Sequence, residues 1–529
     1  MAHEQPAATA GDGTDGLRAQ AVGSVGWVAL GSWGARLSSL VVFSLLGRLL
    51  APEDFGLLAL AAVFVAALTV LVESGFSRAV VQRRTLDAAH TSTAFWTSLG
   101  SSVLLAGLLC AVAPLLERLL DSPGLAPVLM ALSASLPLSA LSAVPSALLE
   151  REFRFRQLAV RRLVSVLAGA VLGVALAVAG AGVWALVGQT LGAAAVGVVV
   201  LWGSTSWRPR RTWSREAFTE LWRFARSSLG IDLLLLVNAQ ADKLVVGAVL
   251  GPEVLGYYFV GARTLQLLFE VITGVIGQLS LTTFARLQDD LPRLRRALSS
   301  ATFVSACVAF PAFGFAAALA GSAIPLLYGD QWDRSVAVMQ VLAPAYALLA
   351  ITYFDKSTFM AVGKPAVALR LTFWQTLVGL AATAVAAPFG AVAVSGARAA
   401  RQFAFWPVRL ALLQRHVGVA PADYSRRLLG PLVATALPVV AVLALQASSA
   451  RLEPPLLAAL VLGAGSVVAY VLLLDLCAAP HVAVAARAVL GDRRADRVLR
   501  LLPRARRASR RAAPPPAEPA PGLAAPRAG

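Results

Sequence analysis

The sequence has little charge and almost no cysteine. Only 14% of its 529 residues are charged, whereas 58% are hydrophobic and the mean hydropathy is +0.73. A soluble globular domain has about 25% charged residues, so this class is excluded. The three cysteines form no CxxC pair and are odd in number, so the sequence predicts neither a disulfide framework nor a thiolate metal site.

The sequence also lacks the short motifs of ATP-driven pumps and of common hydrolases. It contains no GxxxxGK(S/T) phosphate loop, no HExxH and no GxSxG. Any energy coupling should therefore come from an ion gradient, from the membrane potential or from substrate flux. We expect a protein that is not an enzyme, with no catalytic residues, no cofactor and no bound metal.

Basic residues nevertheless outnumber acidic ones. With 46 Lys and Arg against 28 Asp and Glu, the formal net charge is +18. Such an excess can indicate a nucleic-acid-binding protein, but most arginines lie in short loops between apolar runs or in the C-terminal tail. This placement is typical of membrane topology, so we expect no nucleic acid and expect anionic membrane lipids at the basic loops and tail.

Long apolar runs occupy most of the chain. A membrane helix needs roughly 20 mostly apolar residues, and about fourteen runs meet this requirement. They lie near residues 25–46, 56–74, 94–116, 125–147, 163–181, 183–202, 227–250, 256–281, 299–321, 335–362, 367–388, 390–412, 428–447 and 455–476. The sequence therefore predicts an all-α polytopic membrane protein.

Loop charges predict the direction of these spans. Basic clusters follow the even-numbered spans, for example near residues 83–84, 151–156, 208–215 and 293–296. The loops after odd-numbered spans carry at most one arginine each. Because Lys and Arg near span ends are retained on the cytoplasmic side, both termini should be cytoplasmic.

A short motif occurs twice. The stretch LGRLLAPEDFGLLALA at residues 46–61 returns as VGAVLGPEVLGYYFVG at residues 246–261, and a pattern in the sixth predicted span returns in the twelfth. A repeat that covers six spans predicts two lobes that run in the same direction, related by an axis along the membrane normal. Pro52 and Pro252 should make tight turns, and Gly56 and Gly256 should let each turn pass into the next helix.

These features divide the chain into segments. We predict a cytoplasmic segment at 1–24, an N-lobe of spans 1–6 at 25–202, a basic linker at 203–226, a C-lobe of spans 7–12 at 227–412, an extra helix pair at 428–476 and a cytoplasmic tail at 477–529. The tail begins as a basic amphipathic stretch and ends in Pro/Ala-rich sequence. It should lie on anionic lipid and then become partly disordered.

A series of stretches resembles a known family. In chain order they are LGRLLAPEDFGLLALA, ESGFSRAVVQRR, ALLEREFRFRQLAVRR, ADKLVVGAVLGPEVLGYY and LLYGDQWDRS. Together they resemble the Wzx-type oligosaccharide flippases of the polysaccharide transporter family, within the multidrug/oligosaccharidyl-lipid/polysaccharide exporter superfamily. The resemblance implies two six-helix lobes around a central cavity and transport by alternating access.

The resemblance also implies a substrate and a location. The substrate is an undecaprenyl-diphosphate-linked oligosaccharide, which moves from the inner to the outer leaflet of a bacterial inner membrane during cell-surface polysaccharide biosynthesis. Other polysaccharide-assembly proteins are the implied partners. Many flippases of this branch look like twelve-span proteins, whereas about fourteen spans are predicted for this chain.

Ionisable residues interrupt several predicted spans. Those nearest to the membrane midplane are Arg36, Glu270, Arg398 and Arg401. Each costs about 2.5–3.5 kcal/mol if it faces lipid, so these side chains should face a wet cavity or one another. Helical spacing places several polar or bulky side chains on one face of the twelfth span, namely Arg398, Arg401, Gln402, Phe405 and Arg409.

We assign expected roles to these charges by their chemistry. A guanidinium binds phosphate oxygens through two hydrogen bonds, and a diphosphate carries the matching charge. The expected substrate-binding residues are Arg36, Arg263, Arg398 and Arg401. Buried carboxylates are the usual carriers of ions or protons, and the residues expected to serve coupling or interlobe pairing are Glu270, Asp242, Lys243 and Glu73.

Several of these charges also have a purely structural interpretation. Arg409 lies close to the cytoplasmic surface, where it can snorkel to the headgroups. Asp355 and Lys356 can form an ordinary helix-end pair. Ion pairs between the lobes are a further alternative, for example Lys243 with Glu270 or Asp242 with Arg263.

Two other functions fit a chain of this composition. A multidrug or cation exporter of the same superfamily should expose acids in its cavity, whereas this chain offers mostly arginine. A multispan glycan polymerase or ligase needs catalytic residues on sizeable external loops, and the predicted external loops are short. The acidic external cluster GDQWD at 329–333 should start the next helix.

Overall fold

The described part of the chain is helical. A computed structural model describes residues 34–36, 38–73, 80, 87–287, 290–447, 455–490 and 502–512. Within these ranges no strand occurs, so the predicted all-α class is confirmed. The predicted segment 1–24, part of the first predicted span and the end of the predicted tail lie outside the described residues.

The helices follow one another through short connections. In the N-lobe, α1 covers residues 38–49 and is followed by α2 (Pro52–Glu73), α3 (Ala88–Leu119), α4 (Leu125–Ser133), α5 (Ser135–Arg151), α6 (Phe155–Val178) and α7 (Val183–Ser204). The C-lobe contains α8 (Arg215–Arg286), α9 (Leu291–Ala318), α10 (Ala320–Tyr328), α11 (Asp333–Ile351), α12 (Tyr353–Ala361), α13 (Pro365–Ala386) and α14 (Ala391–Val417). After the lobes come α15 (Pro421–Ala447), α16 (Pro455–Leu490) and α17 (Pro503–Ala512).

Eleven helical stretches of the described residues are long and apolar enough to cross a membrane. One of them, Leu229–Gly274, covers most of the predicted spans seven and eight, which are separated by a break at Gly251 with φ 81°. Helix α14 occupies the predicted twelfth span but is not among the eleven, because its arginines lower its hydropathy. The first predicted span lies partly outside the described residues, so a count of about fourteen stays a prediction.

Helix boundaries of the structure fall inside some predicted segments. The linker expected at 203–226 is helical in its second half, since α8 begins at Arg215, and the Ser214 hydroxyl accepts a hydrogen bond from the Ala217 amide at 3.4 Å. An N-cap of this kind satisfies a backbone donor that the first helical turn leaves free. The predicted spans four and ten are each divided into two helices, with breaks at Ala134 and Thr352.

The two copies of the repeated motif contact each other. A Cβ atom at Gly56 would overlap the carbonyl oxygen of Pro252, and a Cβ atom at Gly256 would overlap that of Pro52. Both glycines lie inside helices, so they do not serve the turn as expected but let α2 and α8 approach closely. Reciprocal contact is what a local two-fold axis produces, and it places both turns at the same end of the molecule.

The turn before α11 closes this same end. The Gln331 side-chain amide and the Trp332 indole donate hydrogen bonds to the Gly47 carbonyl at 2.8 and 2.7 Å, and Gln331 also donates to Leu50 at 3.0 Å. These carbonyls end α1, where no donor within the helix remains. Trp332 is fully buried, and its ring meets Phe55 edge-on at 5.2 Å. The GDQWD cluster therefore starts α11, as predicted, and also joins the two lobes.

The extra helix pair and the start of the tail pack on the C-lobe. The Tyr470 hydroxyl on α16 donates a hydrogen bond to the Cys307 carbonyl on α9 at 2.6 Å. The Asp475 carboxylate accepts hydrogen bonds from the amides of Arg504 and Ala505 at 3.0 and 2.8 Å, so it caps the N-terminus of α17. The basic tail thus contains a helix anchored to α16.

Replacing Gly256 by Ala should force α2 and α8 apart, because the new Cβ overlaps the Pro52 carbonyl. We expect the free energy of unfolding in detergent to fall by about 1–3 kcal/mol, the usual cost of overpacking. The matched control is Gly107→Ala on α3, where a Cβ meets nothing within 4 Å. Thermal unfolding that ranks the two variants equal would contradict a tight contact between the repeats.

Candidate functional site

A polar cavity of about 380 Å³ lies inside the C-lobe. Side chains of α8, α11, α12, α13 and α14 line it, and the polar ones include Asn238, Thr352, Asp355, Lys356, Gln375, Arg398, Arg401, Gln402 and Arg409. Polar side chains within membrane-spanning helices are costly and typically face water or a ligand. This cavity is therefore the candidate site.

Helix α14 supplies most of the cations of this cavity. Arg398, Arg401, Gln402 and Arg409 line the cavity, so the structure brings together most of the predicted stripe. Phe405, expected on the same face, lines a separate apolar groove between α13 and α14. Each of the three arginines meets a different set of partners, and these sets determine what each can bind.

Arg398 is paired inside the protein. Its guanidinium forms an ion pair with Asp242 on α8, and Asp242 also accepts a hydrogen bond from the Tyr258 hydroxyl. The guanidinium lies 5.5 Å over the Tyr346 ring, a cation–π contact. Asp242 is only 7% exposed, so it needs this partner. The Arg398 charge is therefore balanced by a buried carboxylate.

Arg409 is paired as well, and both structural interpretations of its neighbourhood are wrong. Its Nη1 atom lies 3.2 Å from the Asp355 carboxylate, and its Nη2 atom donates to Gln375 Oε1 at 3.2 Å. The Arg409 side chain is 13% exposed, so it points into the lobe and does not snorkel. Asp355 follows the break at Thr352 and is 2% exposed, so it pairs across the cavity and not with its neighbour in sequence.

Arg401 has no carboxylate partner among the described residues, in contrast to Arg398 and Arg409. Its Nη1 atom donates a hydrogen bond to the backbone carbonyl of Gln375 at 3.2 Å. The guanidinium crosses α13 at Gly379, where a Cβ atom would overlap it. A carbonyl dipole does not cancel a full charge, and Asp242, the carboxylate that acts on Arg401 from farther away, is already paired with Arg398. The cavity therefore keeps one cation in excess at this point.

The N-lobe shows that packing does not require this arginine. When the two lobes are aligned so that Gly390 corresponds to Gly182, Arg401 corresponds to Ala193 on α7. There α6 and α7 also cross closely, since a Cβ atom at Gly169 would lie 2.7 Å from the Ala193 Cβ. An alanine thus suffices where the corresponding helices meet, and the cation at 401 needs a different explanation.

A second cluster surrounds Glu270 on α8. Its carboxylate lies 3.4 Å from Arg263 Nη1 and accepts a hydrogen bond from Gln266 Nε2 at 3.1 Å. Arg36 donates to the backbone carbonyl of Glu270 at 2.6 Å and lies against Gly274. The four arginines expected to bind substrate are therefore divided between this cluster and the polar cavity.

The expected partners of the α8 charges are wrong. Asp242 pairs with Arg398 and not with Arg263, and Glu270 pairs with Arg263 and not with Lys243. Both observed pairs lie within the C-lobe, so neither is an interlobe ion pair. Sequence spacing gives the face of α8 on which a charge lies, but not the helix that this face meets.

Lys243 and Glu73 lie apart from these pairs. The Lys243 ammonium donates to Gln240 Oε1 at 2.8 Å and lies 5.5 Å over the Phe259 ring. Glu73, at the end of α2, accepts a hydrogen bond from the Ser139 hydroxyl on α5. Each side chain thus has a local partner of its own.

Sequence reasoning missed the uncharged members of the site. The Tyr346 hydroxyl donates to Gln266 Oε1 and accepts from Arg398 Nη2, both at 3.4 Å, so it connects the cavity with the Glu270 cluster. Tyr258 and Gln375 hold the charges of Asp242 and Arg409. These uncharged residues could have been found from the sequence, because each is a polar side chain inside an apolar run.

Comparison with known proteins gives relatives and a fold. Residues 45–337 match the family described as "Polysaccharide biosynthesis protein". The chain is 29% identical over 369 residues to the succinoglycan biosynthesis transport protein ExoT of Rhizobium meliloti. The aligned region covers 70% of this chain and 74% of ExoT. It is 22% identical over 386 residues to the lipopolysaccharide biosynthesis protein WzxC of Escherichia coli, and this aligned region covers 72% of this chain and 78% of WzxC.

Solved structures share the fold. The lipid II flippase MurJ in an inward closed conformation matches with a TM-score of 0.68 and 13% identity over 85% of this chain and 98% of MurJ. A multidrug resistance MATE family transporter in an inward-facing conformation matches with a TM-score of 0.52 and 16% identity over 80% of this chain and 96% of its own. Since the family match covers more than half of its length, the chain belongs to the polysaccharide biosynthesis protein family.

Proposed function

We propose that this chain transfers an undecaprenyl-diphosphate-linked oligosaccharide from the inner to the outer leaflet of a bacterial inner membrane by alternating access. The observation that carries the proposal is Arg401, a cation in a membrane cavity with no carboxylate partner among the described residues. An anionic ligand supplies the missing charge, and a diphosphate fits a guanidinium through two hydrogen bonds. The similarity to ExoT, a succinoglycan biosynthesis transport protein, and to WzxC, a lipopolysaccharide biosynthesis protein, supports a role in polysaccharide transport and biosynthesis.

The charges of the cavity determine its preference. Arg398 and Arg409 are each neutralised by a carboxylate, which leaves Arg401 and the exposed Lys356 in excess. A cavity with net positive charge repels cationic drugs and attracts anions. The cation exporter, whose fold this chain shares, is therefore the weaker alternative.

The glycan polymerase or ligase is also disfavoured. The described connections at the predicted external end, such as 120–124 and 179–182, are only a few residues long. They leave little room for a catalytic constellation, which needs several positioned side chains. We therefore propose a transporter and not an enzyme.

Coupling is assigned to the Glu270 cluster. The Glu270 side chain is 31% exposed and its partner Arg263 is 36% exposed, so water can reach this pair, whereas Asp242 is buried. Arg36 joins the pair from the N-lobe. We propose that Glu270 exchanges an ion or a proton, and that Arg36 and Arg263 contact the substrate phosphates after Arg401 has bound them.

Surface partners follow from the basic regions. The side chains of Arg504, Arg506 and Arg507 on α17 are exposed, and Asp475 fixes the position of this helix. Juxtamembrane arginines attract anionic lipid headgroups, by about 1 kcal/mol each. We assign anionic lipids to this surface, and polysaccharide-assembly proteins to the same side of the membrane.

Replacing Arg401 by Gln should reduce glycan export about tenfold or more, since a hydrogen bond to a charged group contributes about 1.5–3 kcal/mol. Folding and membrane insertion should survive, because the N-lobe packs the corresponding crossing with alanine. Lys should restore part of the activity, as it restores charge without the planar fork. The measurement is glycan export at matched membrane levels, together with lipid-linked precursor inside the cell. Normal export by Arg401→Gln would overturn the proposal.

Moving Arg401 without removing it should have a similar effect. In Gly379→Ala the new Cβ overlaps the guanidinium and displaces it from the Gln375 carbonyl. Gly396→Ala on α14 is the matched control, because its Cβ meets nothing within 4 Å. We expect export to fall only in Gly379→Ala. Equal export by both variants would show that the position of Arg401 is unimportant.

The orientation can be tested by cysteine labelling in a background without the native cysteines. In Asp333→Cys, at the start of α11, the thiol should react with a membrane-impermeant reagent in cells whose outer barrier has been opened. In Arg210→Cys and Arg293→Cys the thiols should react only after a permeant reagent is used. All three positions are exposed, so burial does not mask the result. The reverse pattern would invert the predicted topology and the direction of transport.

A further inference from the structure

The turn between α5 and α6 holds a phenylalanine in a conformation that this residue type rarely adopts. Phe153 has φ 56°, which lies in the left-handed region. Among the described residues the other non-glycine residue with a positive φ is Asp121, whose short polar side chain tolerates this region better. A bulky aromatic residue strains the backbone here, so its presence at this position calls for an explanation.

Hydrogen bonds define this turn as a helix C-terminus. The Phe153 amide donates to the Glu150 carbonyl at 3.1 Å, and the Arg154 amide donates to the Leu149 carbonyl at 2.9 Å. This pair of bonds is the Schellman motif, in which the residue just beyond the helix takes a left-handed conformation. Glycine usually occupies that position, because it has no Cβ atom to strain the backbone.

The corresponding turn of the C-lobe, between α12 and α13, has this usual residue. The Gly363 amide donates to the Met360 carbonyl at 3.1 Å, and the Lys364 amide donates to the Phe359 carbonyl at 2.9 Å. Gly363 has φ 71°, and a Cβ atom there would meet nothing within 4 Å, so backbone conformation and not lack of space favours glycine. The same turn therefore forms with glycine in one lobe and with Phe153 in the other.

Packing within the protein does not account for the ring. Phe153 is 69% exposed, and its ring meets Phe155 edge to face with the centroids 6.0 Å apart. An aromatic side chain stabilises a fold through the apolar area that it buries, and this one leaves most of its area outside the protein. The surroundings that favour phenylalanine at this position are therefore those of the turn and not those of the core.

The turn lies at the boundary of the bilayer. Helix α5 ends at Arg151 and α6 begins at Phe155, so three residues connect two stretches that are each long and apolar enough to cross a membrane. Helix α6 has 24 residues, which is about 36 Å at 1.5 Å per residue. The hydrocarbon core is about 30 Å thick, or about 40–45 Å with the headgroup layers. Residues 152–154 therefore lie in a headgroup layer.

Contacts of the neighbouring residue fix the turn in place. The Arg154 Nη1 atom lies 3.3 Å from the Glu152 carboxylate, and its Nη2 atom donates to the Ser204 carbonyl at the end of α7 at 3.3 Å. The turn is thus tied to a second membrane helix of the N-lobe. Phe153 is presented by a fixed backbone, which lowers the entropy cost of placing its ring in the lipid.

We infer that Phe153 inserts its ring into the headgroup layer, at the boundary with the acyl chains, and holds the N-lobe at a fixed depth in the membrane. The partner is the lipid surface, where aromatic rings are favoured. Transfer of the ring out of water offsets the strain of the backbone. Gly363 provides no such ring, so this anchor belongs to one lobe. The inference does not depend on what the protein transports.

Fluorescence quenching measures the depth of the side chain. In a background without the native cysteines, Phe153→Cys carries a bimane label, and the full chain is placed in nanodiscs of phosphatidylethanolamine and phosphatidylglycerol. Phospholipids brominated in the upper part of the acyl chain should quench this label more strongly than aqueous iodide does. The matched control is Glu152→Cys in the same turn, where an exposed carboxylate stands and iodide should be the stronger quencher. Stronger quenching of the Phe153→Cys label by iodide, or equal quenching of both labels by the brominated lipid, would overturn the inference.

Thermal unfolding in detergent tests the strain. Phe153→Gly should melt at the same temperature as the unchanged protein or higher, because glycine relieves the backbone and little packing is lost. Phe153→Ala should melt below Phe153→Gly, since alanine keeps the strain. Gly363→Ala should lower the melting temperature, because its new Cβ meets nothing and only the backbone is strained. A melting temperature of Phe153→Gly as low as that of Gly363→Ala would show that the ring stabilises the fold itself, and would overturn the inference.

Discussion

A guanidinium within a bilayer must meet a carboxylate, a dipole, an aromatic ring or water, since hydrocarbon costs it about 2.5–3.5 kcal/mol. This constraint organises the C-lobe around α14. Arg398 takes Asp242 from α8, and Arg409 takes Asp355 from α12, so each ion pair fixes α14 against a different helix. Arg401 lies between these pairs and has only a backbone carbonyl. The two ion pairs therefore fix the position of α14, and with it the position of the unpaired Arg401.

The two lobes share their packing but not their polar chemistry. In the alignment that pairs Gly390 with Gly182, Arg398 corresponds to Thr190 and Arg409 corresponds to Leu201. Close helix crossings are kept in both lobes, whereas the cations of α14 have no counterpart on α7. The repeated turn belongs to the shared part, because each copy packs on the other through a missing side chain. A symmetric frame thus carries an asymmetric site, which suits a ligand with a single charged group.

The sequence predicted the helical class, the repeat and most of the charged stripe on α14, because periodicity and composition are properties of single segments. It could not predict partners. Arg409 lies near a helix end, and only the break at Thr352, which brings Asp355 inward, shows that it is buried. Local spacing likewise assigns Gly56 to its own turn, because its contact with Pro252 depends on how two distant helices cross. Such contacts are tertiary and leave no trace in local spacing.

The lobes contact each other at two places. At the repeated turns the contacts are backbone packing, aromatic rings, hydrogen bonds of neutral groups and the hydrogen bonds that Arg48 donates to the carbonyls of Leu326 and Leu327. Near the cavity, hydrogen bonds lead from Arg398 through Tyr346 and Gln266 to Glu270, whose backbone holds Arg36. Arg401 lies one helical turn from Arg398 on α14, beside the start of this connection. The hydrogen bonds from Arg398 to Arg36 therefore link the surroundings of the unpaired arginine to the inner contact between the lobes.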